Sequence, residues 1–298
     1  MSAGAEDVTL RAMSKGDIAE GLRLSGAAGW NQQEEDWRFL LLRNPGRFVV
    51  AQRDGRLVGT GGAVCYGTTL AWVCMILVDP DRRGHGVGTR IMEGVLDRLT
   101  DVGTIGLDAT PFGQGVYARL GFVETSRLLR VEAVAKSGPI PVDDNHGQPR
   151  ARHTDVASTR AIEPGDLERI LAVDLQVFGA DRGDLLRWAA GRAPALCRVD
   201  DGGAIVGYCF GRQGARSRQI GPVVARDVLT ARALVAASMQ AEPEGRLVLD
   251  VLADRSDWLS ALEAMGFAVQ RPLIRMFRGS RPLGRPDRQL AIFGPEFG

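Results

Sequence analysis

At 298 residues, with 45% hydrophobic and 24% charged side chains, the chain holds enough apolar material for two cores of ordinary size, since single domains centre on about 150 residues. A formal net charge of +1 gives no electrostatic ground for nucleic acid or an anionic membrane surface as partner. No run approaches the ~18 apolar residues of a membrane span, and the opening stretch lacks a basic region followed by an apolar core, so a cytoplasmic protein is expected.

Thr9 to Met13 reads as a first strand, and Ser14 to Asp17 as a turn into a helix that continues toward Leu24. Trp30 precedes a second helical run holding Glu34, Trp37, Leu40 and Leu41. Residues 47–67 form a hairpin, because Val49-Val50 and Leu57-Val58 flank the Asp54-Gly55 turn signal. An apolar strand over 71–78 follows, then the glycine-rich stretch Asp79 to Arg90. A helix carries Val87, Ile91 and Val95 on one line. Thr104 to Asp108 is a short strand, 111–122 a short helix closed by Gly121, and 126–134 a last strand.

From Ala135 to Ser158 the composition turns to Pro, Gly, Asp and Asn, which reads as a linker over 136–158. Beyond it the first pattern returns. Arg160-Ala161-Ile162 echoes Arg11-Ala12-Met13, and Asp201-Gly202 echoes Asp54-Gly55. Leu249-Asp250 echoes Leu107-Asp108, and Gly266-Phe267 echoes Gly121-Phe122. Echoes in one order indicate a duplicated unit, with domains over 1–135 and 159–279 and an extended tail over 280–298.

The chemistry centres on the strand, turn and helix around residues 76–90. Closely spaced glycines let a backbone approach a ligand, and a helix start offers unpaired N–H groups suited to phosphate. A dinucleotide fingerprint does not fit, because Asp79, Pro80, Asp81, Arg82 and Arg83 separate strand from glycines; the Walker A pattern fails for want of Gly-Lys-Ser/Thr. The stretch resembles the acyl-CoA loop of the GNAT acetyltransferase superfamily, Arg/Gln-x-x-Gly-x-Gly/Ala, filled here by Arg83, Gly86 and Gly88, with Gly84 as the small residue after the arginine. Tyr117 before Gly121-Phe122 is similar to that family's Tyr-x-x-x-Gly-Phe signature. The resemblance covers residues 9–134 and implies an α/β fold of two tandem GNAT-like domains, each a twisted mixed sheet flanked by helices.

By resemblance, the backbone from Arg83 through Gly84, His85, Gly86, Val87 and Gly88 to Thr89 holds the pyrophosphate of acetyl-CoA, and Ile76, Leu77 and Val78 pair with its pantetheine arm. The Arg83 side chain either meets phosphate or orders the loop, while His85 faces solvent. Tyr117 protonates the leaving thiolate. Gly113 stands where the family often has alanine and Thr110 where it often has asparagine, which leaves pantetheine contacts there open. For a general base Asp108, at a strand end, is the first candidate, although its repetition as Asp250 points to a structural role. Trp30 and Glu34 are candidates for the acceptor pocket. The second copy has Ile220 to Val235 in place of the loop and Leu262 in place of Tyr117, so one acyl-CoA site per chain is expected.

With only His85, His146 and His153, no metal site is expected, and Cys65, Cys74, Cys197 and Cys209 read as free thiols. The implied activity is acetyl transfer to a small-molecule primary amine in a ternary complex, with a homodimer possible. An acyl-CoA-binding regulatory protein without turnover and a protein acetyltransferase are the alternatives.

Overall fold

The computed structural model describes residues 8–134, 158–242, 244–280 and 284–298; most of the expected linker lies outside them. The first half runs β1 (Thr9–Ala12), α1 (Ile18–Ala27), α2 (Glu34–Arg43), β2 (Val49–Arg53), β3 (Arg56–Tyr66), β4 (Leu70–Val78), α3 (Val87–Leu96), β5 (Thr104–Ala109), α4 (Gln114–Arg119) and β6 (Val123–Val134). The second runs β7 (Ser158–Ala161), α5 (Pro164–Phe178), α6 (Gly183–Ala189), β8 (Leu196–Val199), β9 (Ile205–Arg212), β10 (Arg218–Ala225), α7 (Val228–Ala241), β11 (Arg246–Leu252), α8 (Ser256–Ala264) and β12 (Ala268–Gly279), with β13 (Gln289–Ala291) beyond it. The two halves repeat one order of elements, and the sequence echoes mark matching places in it. Arg11 grips Asp17 at the first turn of the first half, and Arg160 grips Asp166 at that of the second.

The mixed sheets expected of the two halves are joined. One continuous mixed sheet runs β1-β2-β3-β4-β5-β12-β6-β11-β10-β9-β8-β7. The last strands are exchanged: β12 of the second half lies antiparallel on β5, and β6 of the first lies antiparallel on β11. The two exchanged strands pair with each other at the centre. Each half therefore completes the other's sheet, and β1 and β7 end the strand order among the described residues.

Buried ion pairs repeat this exchange. Arg275 of β12 donates from Nε and Nη2 to the two carboxylate oxygens of Asp108, both at 2.9 Å. Arg130 of β6 does the same to Asp250, at 2.8 and 2.7 Å. Arg130 follows Gly121 at the same interval as Arg275 follows Gly266, so the pairs are counterparts. Such pairs fix register more than they stabilise, because desolvation consumes most of the Coulomb gain.

The described part of the tail, residues 284–298, packs back onto the sheet: β13 pairs with β10, and Leu290, Ile292, Phe293 and Phe297 are fully buried. First-half side chains hold it, as Tyr66 Oη donates to the Phe297 carbonyl at 2.6 Å and Trp72 Nε1 to that of Pro295 at 2.9 Å. Among the described residues no helix is long and apolar enough to cross a membrane.

Candidate active site

The site arises where β4 leaves β5. The two strands are parallel neighbours at Leu70↔Thr104, Ala71↔Ile105 and Trp72↔Gly106, and their pairing stops there. A bulge forces the departure: Thr60 faces Leu77 but Gly62 faces Cys74, so Met75 and Ile76 together oppose Gly61. Met75 takes φ of 56°, unusual for a side chain of its size, and Thr60 Oγ1 holds its carbonyl at 2.9 Å. Beyond the bulge, the side of β4 that faces β5 has no strand partner, which leaves an opening for an extended ligand.

At the end of β4 the chain makes a loop over residues 79–86 before α3 begins at Val87. Gly84 and Gly86 have φ of 82° and 79°, the left-handed region where a side chain costs about 1 kcal/mol or more. Gly86 is the N-cap of α3 and offers no side chain to the first-turn N–H groups, so these and the positive helix end stay open to an anion. Arg83 Nε donates to the Val78 carbonyl at 3.3 Å, which closes the loop and favours the ordering role over phosphate contact.

Strand, loop and helix border a cleft of about 1900 Å³, open mouth included, lined by Ile76, Leu77, Val78, Arg83, Gly84, Gly86, Val87, Gly88, Thr89, Gly113 and Tyr117. Of the residues expected to hold the cofactor, only His85 is absent from this wall; it is exposed on the loop. Gly113 has a local reason to lack a side chain, because a Cβ there would sit 3.0 Å from the Tyr117 ring. The Tyr117 hydroxyl makes no hydrogen bond among the described residues, and burial pushes its pKa up to about 12, so it stays protonated.

Tyr117, Thr110, Ile76, Trp30 and Arg271 border both this cleft and a smaller cavity of about 710 Å³ behind it. Trp30 is thus where an acceptor-pocket residue should be. Its loop is tied to the second half through Asn31, whose Oδ1 accepts from the backbone N–H of Arg216 and Ser217. Glu34 is not brought to the site: it is exposed and accepts from Arg38 at 2.7 Å on the outer face of α2. Asp36, two residues on, is buried against Arg212.

Asp108 borders the cavity, but the first-choice base is corrected. Both its oxygens are committed to Arg275, and the mirrored pair of Asp250 with Arg130 marks this as part of the strand exchange. Burial pushes its pKa up and the Arg275 charge pulls it back, so it is a held carboxylate and not a free one. Among the wall residues that were not anticipated are Arg130, Arg271, Pro295 and Glu296. The echo of Asp108 in Asp250 was the only sequence signal near them. The exchange of strands and the return of the tail leave no periodicity to read.

In the second half the corresponding strand edge is filled. Gly59↔Val78 in the first half corresponds to Gly207↔Ala225 in the second, which equates Ile76 and Leu77 with Val223 and Val224. Those are the positions that β13 occupies, at Val223↔Ala291 and Val224↔Gln289. The loop is reduced to Arg226 and Asp227, and the Asp227 carboxylate caps α7 by accepting from the Thr230 N–H at 2.7 Å. Among the described residues no cluster of side chains is arranged to hold a metal ion.

Comparison with known proteins gives the class. A profile described as "Acetyltransferase (GNAT) family" matches residues 21–122, and one described as "Acetyltransferase (GNAT) domain" matches residues 170–294. The protein is an acyltransferase, and the chain belongs to the GNAT acetyltransferase superfamily as a tandem of two GNAT units. It is 25% identical over 256 residues to a holothin acyltransferase of Pseudoalteromonas sp. (strain SANK 73390), covering 84% of this chain and 81% of that one. It is 33% identical over 105 residues to an L-2,4-diaminobutyric acid acetyltransferase of Nocardia farcinica (strain IFM 10152), covering 34% of this chain and 54% of the relative. Among solved structures, a putative acetyltransferase from Pyrococcus horikoshii shares the fold with TM-score 0.79 at 21% identity, covering 98% of this chain and 96% of that one. A tandem GNAT protein from the clavulanic acid biosynthesis pathway does so with TM-score 0.66 at 18% identity, over 93% and 99% of the two chains.

Proposed function

We propose that the chain transfers an acetyl group from acetyl-CoA to a primary amine of a small molecule, by direct attack while both substrates are bound in its first-half cleft. The observation that carries this reading is the continuity of the open β4 edge, the uncapped start of α3 and Tyr117 along one cleft that ends in a second, smaller cavity. The pyrophosphate lies on the N–H groups after Gly86, and the pantetheine arm adds to β4 along Ile76 to Val78. The thioester then reaches the shared wall beside Tyr117.

The acceptor enters from the smaller cavity. Its neutral nitrogen attacks the thioester carbon; the C–N bond forms, the C–S bond breaks, and the amine proton leaves to solvent. An alkylammonium has a pKa near ~10, so the reaction speeds up as pH rises toward it. Tyr117 stays protonated across that range, gives its hydroxyl proton to the departing sulfur, and is reprotonated from solvent.

Support for a small acceptor comes from the modest size of the cavity that Pro295, Glu296 and Arg271 border. The relative named for L-2,4-diaminobutyric acid supports the same class. Calorimetric titration with acetyl-CoA should give one site per chain. Thiol release over a panel of amines, amino acids, aminoglycosides and lysine peptides should then single out a small amine. Binding with no release across the panel would favour an acyl-CoA-binding regulatory protein, and a preference for peptides would favour a protein acetyltransferase.

A further inference from the structure

Arg271 is the feature of the site that structural need does not explain. It stands directly opposite Arg130 in the β12 and β6 ladder, and like charges so placed repel. Arg130 is satisfied by Asp250, which also accepts from Gln219 at 3.1 Å. Arg271 has no hydrogen-bond partner among the described residues, and its Nε is buried without one. Burial and the Arg130 charge hold its guanidinium below the usual arginine value, so an anion set against it would be bound with gain.

The repeat shows that this arginine is not inherited from the shared fold. Ser126 follows Gly121 at the interval at which Arg271 follows Gly266, so the matching cross-strand pair is Ser126 with Arg275. The extra cation is present only on the side that faces the open cleft, and it borders both the cleft and the cavity. Of the two wall arginines, Arg130 is matched by Asp250 behind it, while Arg271 has no hydrogen-bonded carboxylate among the described residues. The tail supplies the opposite sign, since Arg212 is shared between two buried carboxylates, Asp36 and Glu296, and Glu296 borders the cavity.

Resting on the proposed acetyl transfer, we propose that the acceptor is an amino acid, whose carboxylate is held by Arg271 at the junction of the two cavities. A carboxylate at the junction keeps the neighbouring amine within reach of the thioester. A neutral or purely cationic amine would leave Arg271 unpaired and is disfavoured. The negative wall at Glu296 orients the remainder of the molecule inward, preferring side chains that donate hydrogen bonds.

The test reads binding rather than turnover. Wild type and Arg271→Gln, each with CoA present, are titrated with the N-acetyl derivatives of the twenty amino acids and with the matching primary amides. At least one acid should bind wild type roughly tenfold to a hundredfold more tightly than its amide. Arg271→Gln should erase that preference while CoA affinity changes less than twofold, and Arg271→Lys should restore part of it. Equal binding of acids and amides, or no acid bound, would overturn the proposal. So would a loss of CoA affinity in Arg271→Gln, which would assign the arginine to the donor. Failure of CoA to bind wild type would instead sink the acetyl-transfer reading, and the acids and amides would still be compared on the unliganded protein.

Discussion

The two halves begin from one plan and part most clearly at the junction of the central strand with its following helix. In the first half β4 ends in a loop, and α3 starts on a glycine whose missing side chain leaves the helix N–H groups unclaimed. In the second, β10 runs almost directly into α7, and the Asp227 carboxylate claims one of those groups, the Thr230 N–H. Beside β4 the strand edge is open, while the edge of β10 is filled by β13. The same fold is a binding cleft where its polar backbone is left unsatisfied and a closed core where the chain satisfies it. The second half contributes to the site indirectly, through Arg271 on the exchanged strand and Glu296 on the tail.

The comparison is most strongly challenged by deleting residues 289–298. The buried Leu290, Ile292, Phe293 and Phe297 are each worth about 1.5–3 kcal/mol, so unfolding in denaturant should show a loss of several kcal/mol or no folded protein at all. If the deleted protein folded and bound two equivalents of acetyl-CoA, the second cleft would be competent and merely plugged. A milder version is Gly86→Glu, which places a carboxylate and a strained backbone where the pyrophosphate should lie. Acetyl-CoA affinity should fall at least a hundredfold by calorimetry, with a stability change near ~1 kcal/mol.

Tyr117→Phe separates holding from turning over. It should leave acetyl-CoA affinity within about threefold and lower kcat roughly tenfold to a hundredfold in thiol release. In wild type, no falling limb traceable to Tyr117 should appear below about pH 11, since burial pushes its pKa to about 12; a fall near pH 9 would mean that another group supplies the proton.

Asp227→Ala should cost about 1 kcal/mol through loss of the α7 cap and should not create a second acetyl-CoA site. The smallest effect tests the symmetry itself. Arg11 and Arg160 hold the carboxyls of Asp17 and Asp166 each down to about 2, below the ~3.9 of an unfolded chain. Each pair stabilises the fold above pH ~4 and loses that contribution as pH falls toward 2. Asp17→Asn and Asp166→Asn should therefore each flatten the acid limb of the stability curve by a similar amount.

Much of this was legible locally. The strand, turn and helix around Arg83, Gly86 and Gly88 are set by residues close in sequence, and Tyr117 with Gly121-Phe122 sits on one short helix and its cap. The echoes Arg11 with Asp17 and Arg160 with Asp166 are likewise contacts across a single turn. Asp108 was read as a base because its carboxylate ends a strand beside the site; its partner Arg275 lies far along the chain and reaches it only through the exchange. Glu34 and Asp36 share a helix and an acidic run, and nothing local says that one turns outward and the other meets Arg212.

By itself, then, the sequence determined the repeated order of elements and the phosphate-ready turn in the first copy, because both depend on backbone conformation and short-range periodicity. Only the tertiary structure decided that the halves share one sheet, that the tail fills the strand edge of the second half, and that Arg271 and Glu296 border the smaller cavity. Strand partners are chosen by hydrogen bonding and burial between segments far apart in the chain, and neither leaves a mark in the local pattern.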